Sequence, residues 1–161
     1  MQTKNYDRIA VENYATFWAL KRNPRYYNFD RLGGDCTNFI SQCILSGAPI
    51  MNYAPTLGWF YTSLSSRAPA WTGVNELFNF LTKNSDIGPY GKVVANYEIE
   101  VGDVVQLGRD TKNFYHTLIV SQVINGRIFV CSHTRDALNI PLENYSANNI
   151  RYIKILGYRT K

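Results

Sequence analysis

The sequence predicts an α+β fold, with helices in the first half and an antiparallel sheet in the second. Three observations carry that reading. Apolar residues recur at helical spacing through the first half, as in Ala10, Tyr14, Phe17 and Trp18. Beyond Val101 they fall instead into short runs rich in valine and isoleucine. Two of these runs flank Asn125-Gly126, a pair that accepts the positive φ angles of a two-residue hairpin.

The first predicted helix covers residues 6–20 and ends at Asn23-Pro24, since proline lacks the N–H that a helix needs. A loop containing Tyr26, Tyr27, Phe29 and Asp30 follows. Gly33-Gly34 then leads into a second helix over 36–45, closed by Gly47. Residues 48–71 hold Pro49, Pro55, Gly58 and Pro69 among Trp59, Phe60 and Tyr61, and read as a long irregular excursion. A third helix starts at Thr72, with Val74, Leu77, Phe78 and Leu81 on one face, and Gly88-Pro89 stops it. Strands are expected over 104–107, 116–123, 127–133 and 152–158. No repeat, low-complexity tract or linker divides the chain, so residues 1–161 are expected to form one domain.

Composition narrows the function classes. The 45% apolar and 18% charged residues are those of a globular protein that can bury a core. Seventeen basic against twelve acidic residues give a net charge of +5, but the basic residues are dispersed. No nucleic-acid motif accompanies them, so a nucleic-acid partner is not expected. No stretch is long and apolar enough to suggest a membrane span. Three cysteines cannot pair completely, so at least one thiol stays free. Cys36, Cys43 and Cys131, with two histidines, have no zinc-ligand spacing, and neither a metal nor another cofactor is expected.

Cys36 stands at the predicted start of the second helix, in Gly33-Gly34-Asp35-Cys36-Thr37-Asn38-Phe39. A helix N-terminus offers unpaired N–H groups and a partial positive charge, which stabilise a thiolate. The same N–H groups can hold an oxyanion, and the backbones of Cys36 and Asp35 are the expected donors. On a helical wheel Cys36 aligns with Ile40 and Cys43, turning its sulfur toward the protein body, while Asn38, Ser41 and Gln42 face elsewhere. Cys43 and Cys131 lack such a context and are expected in the core.

A nucleophilic cysteine needs a base, and only His116 and His133 are available. His116 opens a strand and shares a face with Leu118 and Val120. Regular pairing about Asn125-Gly126 sets position 118 opposite 133 and 116 opposite 135. His133 would then lie diagonally across from His116 on one face, close enough to orient its ring. Cys36, His116 and His133 are therefore the expected catalytic set. Asp136 is the rival orienter if a bulge shifts the register.

The segment ending in Arg22-Asn23-Pro24, the run from Gly33 to Gln42, the Trp59 segment, Gly102-Asp103, His116 and His133-Thr134-Arg135-Asp136 together resemble the bacterial "Putative amidase domain" family. The resemblance covers residues 6–158 and is most specific in Gly-Gly-Asp-Cys-Thr-Asn-Phe. That family is similar to NlpC-type and CHAP-type cell-wall peptidases of the papain-like superfamily, in which a helix carries the cysteine and a small antiparallel sheet the histidine. The resemblance implies a papain-like fold and hydrolysis of an amide or peptide bond through a thioester, with peptidoglycan stem peptide or another amide as substrate. It also implies a monomer working outside the cell or at the wall, with an export signal outside this sequence. Trp59 is the expected first contact of a substrate groove. The alternative is a wall-binding module of the same fold without turnover.

Overall fold

The computed structural model describes all residues, Met1–Lys161. The first helix, α1 (Arg8–Trp18), begins where the Asp7 carboxylate accepts the Ala10 amide. The second, α2 (Cys36–Gly47), is the hub of the molecule, packed against α1, the sheet and a short helix α3 (Pro69–Thr72). Every residue from Cys36 to Ile44 is buried, including Asn38, Ser41 and Gln42. Their polar groups are satisfied inside: Asn38 accepts from the Trp71 indole, Ser41 from the Trp59 indole, and Gln42 from the Tyr14 hydroxyl. The last helix, α4 (Val74–Lys83), buries Leu77, Phe80 and Leu81.

The second half is a sheet, as expected, but a larger one. Strands β5 (Val104–Gly108), β6 (Phe114–Ile124), β7 (Arg127–Ser132) and β9 (Asn149–Thr160) match the expected four. Three more join them: β1 (Gln2–Lys4), β4 (Gly88–Val94) and β8 (Ala137–Pro141). The order is β1-β9-β5-β6-β7-β8, with β4 also pairing β9, and every pairing is antiparallel. Gly88-Pro89 thus opens a strand rather than only closing a helix. The 48–71 excursion is also less irregular than its prolines suggest, holding α3, a hairpin of β2 (Tyr61–Ser63) with β3 (Ser66–Arg67), and a bridge between Asn52 and Trp59.

Strand alternation divides the core in two. Val104, Ile119, Cys131, Ile153 and Ile155 face the helices and join Phe39, Ile40, Ile44, Trp59 and Trp71. Val105, Leu107, Leu118, Val120, Ile128 and Val130 face the other way, under Ile99 and Leu142. This alternation puts Thr117 on the helix face and His116 on the opposite one, with Leu118 and Val120.

Candidate active site

The register of β6 and β7 departs from regular pairing. Val123 faces Ile128 and Gln122 faces Phe129, but beyond a bulge Val120 faces Val130 and Ile119 faces Cys131. One residue, Ser121, is absorbed. The frame therefore sets position 117, not 118, opposite 133, and His133 turns to the helix face. There it is buried, with its ring stacked on Phe39 at a centroid distance of 3.8 Å. Its Nδ1 lies 2.6 Å from Asp35 Oδ2 and its Nε2 lies 2.8 Å from the Trp18 carbonyl. Both ring nitrogens are thus engaged away from His116, and the sequence-based geometry for His133 as orienter is not the one observed.

Asp136 does not take that place either. Its carboxylate receives a two-pronged contact from Arg22, at 2.8 and 3.0 Å. Arg22 also holds Asp30 and lies 3.5 Å from Asp35 Oδ2.

Asp35 is the feature that sequence reasoning undervalued. An aspartate just before a helix ordinarily caps it. Here the carboxylate makes no cap bond and turns inward, accepting from the Phe29 amide at 2.8 Å, Asn38 Nδ2 at 2.9 Å and His133. Two consequences follow. The start of α2 is tied to two other chain segments, at Phe29 and at His133, and its first-turn amides are left without a side-chain cap. The Asp35 N–H itself donates to the Thr134 hydroxyl at 3.1 Å, so it is not a free oxyanion donor, contrary to expectation. No sequence signal separates an inward Asp35 from a capping one.

The Cys36 sulfur sits where β7 gives out. The Val120 amide bonds Asp103 on the β5 side, so alternation sends the Leu118 and His116 amides that way and those of Ile119 and Thr117 toward β7. Since β7 ends at Ser132, no strand residue meets the Thr117 N–H. The sulfur lies by the vacant position, near enough to the Thr117 and Thr37 amides for both to favour its ionised form. The Thr37 hydroxyl lies 3.7 Å from it and meets Thr117 Oγ1 at 2.9 Å. The sulfur therefore lies at an opening in the sheet, with Thr117 on the helix face and His116 the very next residue on the other.

Electrostatics defines the resting state. Burial pushes the Cys36 thiol above its ordinary value, against the pull of the nearby Thr117 amide and of Thr37. The helix start thus does not produce a standing thiolate. Burial, joined by the charge of Arg135, holds the His116 imidazole down at about 4. At neutral pH Cys36 is a thiol and His116 a neutral imidazole, the protonation states from which a base acts. The His116 ring is half-buried and makes no hydrogen bond. Tyr145 is the aromatic neighbour on its face at 6.3 Å, tied through its hydroxyl to Ser132.

The other cysteines are sealed in. Cys43 and Cys131 are 0% exposed, whereas Cys36 retains 8%. Trp59 is also fully buried, its indole donating to Ser41, so it supports α2 from within rather than meeting a ligand. Among Cys, His, Asp and Glu no cluster suited to a metal ion is present. No helix is long and apolar enough to cross a membrane.

Fold and site together define an α+β domain with a buried cysteine at an uncapped helix start and a half-buried histidine on β6. The chain belongs to the family described as "Putative amidase domain", whose model matches residues 5–156. Amide hydrolysis is the reaction class that this description carries. Two relatives come from Bacillus subtilis (strain 168). "Uncharacterized protein YhbB" is 36% identical over 118 residues, covering 71% of this chain and 37% of its own. "Uncharacterized protein YjcM" is 28% identical over 149 residues, covering 87% of this chain and 34% of its own. The chain thus spans about a third of the length of these relatives. No solved structure matches.

Proposed function

We propose that the protein is a cysteine-dependent hydrolase of amide or peptide bonds, with Cys36 as nucleophile and His116 as base. The carrying observation is the place of Cys36 at the uncapped start of α2, its sulfur near the Thr117 amide, one residue along β6 from His116. His116 takes the thiol proton as sulfur adds to the substrate carbonyl carbon. The C–N bond then breaks, the imidazolium protonates the departing amine, and a thioester remains. Water, deprotonated by His116, adds to the thioester; the C–S bond breaks, a carboxylic acid leaves, and the thiol is restored. The net reaction is amide plus water to acid plus amine.

The uncapped first turn of α2 supports an oxyanion site built on the Cys36 N–H rather than on the occupied Asp35 amide. The order of a cysteine helix followed by a histidine strand supports the papain-like reading. The likeness to wall peptidases makes peptidoglycan stem peptide the proposed substrate and the cell wall the proposed place of action. Purified peptidoglycan incubated with the protein and with Cys36→Ala, followed by mass spectrometry of released fragments, tests this. New amine and carboxyl ends from the parent protein alone support the proposal. No release, or equal release by the variant, removes it.

A further inference from the structure

The turn His133–Asp136 joins β7 to β8, since Ser132 pairs with Ala137. Its two central residues, Thr134 and Arg135, have φ of 62° and 61°. Positive φ at both positions is the pattern of a type I′ hairpin turn, which selects Asn-Gly. This protein uses Asn-Gly where it needs only a turn: Asn125 and Gly126 have φ of 51° and 78°. At 134–135 the same conformation is imposed on a β-branched residue and a long cation, both disfavoured there. Backbone strain of this kind collects at functional sites.

The strained turn is also tied to the nucleophile. Thr134 Oγ1 accepts the Asp35 amide, one residue before Cys36, and packs so closely on Gly34 that a side-chain carbon there would lie 3.3 Å from it. Arg135 follows the residue that holds the Asp35 amide, and its charge reaches the His116 ring. Its guanidinium is exposed and makes no hydrogen bond, ion pair or cation–π contact. Its neighbour Asp136, the nearest carboxylate along the chain, is already taken by Arg22.

We propose that Arg135 is a substrate-binding residue that receives a carboxylate next to the scissile amide, so that the enzyme prefers anionic substrates. The proposal rests on the cysteine-hydrolase reading above. A guanidinium offers a planar pair of donors that matches a carboxylate in shape and charge. It also has a consequence for the base. The Arg135 charge disfavours protonation of His116, and a carboxylate docked on it relieves that effect and makes His116 a better base when a proper substrate is present.

The test uses two alkylating agents of nearly equal size, anionic iodoacetate and neutral iodoacetamide, with the rate at Cys36 followed by peptide mapping. The iodoacetate-to-iodoacetamide rate ratio should fall about fivefold in Arg135→Gln, as expected for loss of one nearby partly screened charge. Arg135→Lys should keep most of the ratio, and Lys92→Gln, a charge change on β4, should leave it unaltered. Because Arg135 is exposed and bonded to nothing, the variants are expected to fold. A ratio unchanged in Arg135→Gln overturns the anion subsite while leaving the nucleophile assignment standing. Failure of either reagent to label Cys36 in the parent protein overturns both.

Discussion

Asp35 and His133 meet at 2.6 Å inside the molecule, across 98 positions of sequence. The residue before the proposed nucleophile is thereby locked to the end of β7. The contact diverts Asp35 from capping α2, and it diverts His133 from His116. It therefore acts on where Cys36 is held and leaves proton transfer to other groups.

Removing one partner should consequently cost stability. His133→Ala strands the Asp35 carboxylate in a buried site, at about 3 kcal/mol. Urea unfolding followed by tryptophan fluorescence measures this. A change below about 0.5 kcal/mol would mean that the pair does not hold the fold as described.

His116 and Cys36 should behave as a unit. Cys36→Ala and His116→Ala each abolish hydrolysis with circular dichroism unchanged, and the double variant is no slower than either. Additive losses in rate would show that the two act independently.

The protonation states predict a pH dependence. An imidazole held at about 4 in the folded protein, against 6.5 unfolded, makes the unfolded chain take up a proton first as pH falls. The resulting stability is fully present above about pH 6.5 and is lost as pH falls toward 4. It amounts to at most about 3 kcal/mol. Unfolding free energies of the parent protein and His116→Gln should converge across that window. Parallel curves would place the acid sensitivity elsewhere.

Backbone strain at the β7–β8 turn gives a prediction of opposite sign. Arg135→Gly removes the Cβ from a left-handed position and should raise stability by about 1 kcal/mol. A thermal melt reads it. A lower melting temperature would show that the arginine side chain supports the fold.

Much of this architecture is legible in the sequence, and the misses have physical causes. Asn125-Gly126 fixes a hairpin because few other pairs accept two positive φ values, and the hairpin is found there. The bulge at Ser121 leaves no comparable mark, since Val120-Ser121-Gln122 fits a strand in either register, and that single residue turned His133 to the helix face. Strand β4 hides behind Gly88-Pro89, a breaker pair that is tolerated because β4 pairs only with β9. Strand β1 is three exposed residues without apolar alternation. The place of Cys36 at a helix start is legible from local context; Asp35, His133 and Arg22 converge only through tertiary contacts.

The central claim is that Cys36 forms an acyl intermediate, and p-nitrophenyl acetate tests it without knowledge of the natural substrate. A rapid-quench reaction should release one equivalent of nitrophenolate in a burst and leave one acetyl group on the protein. Peptide mapping should place that group on Cys36, and Cys36→Ala should show neither burst nor adduct. An adduct on Cys43 or Cys131, or an undiminished burst from Cys36→Ala, would contradict the account.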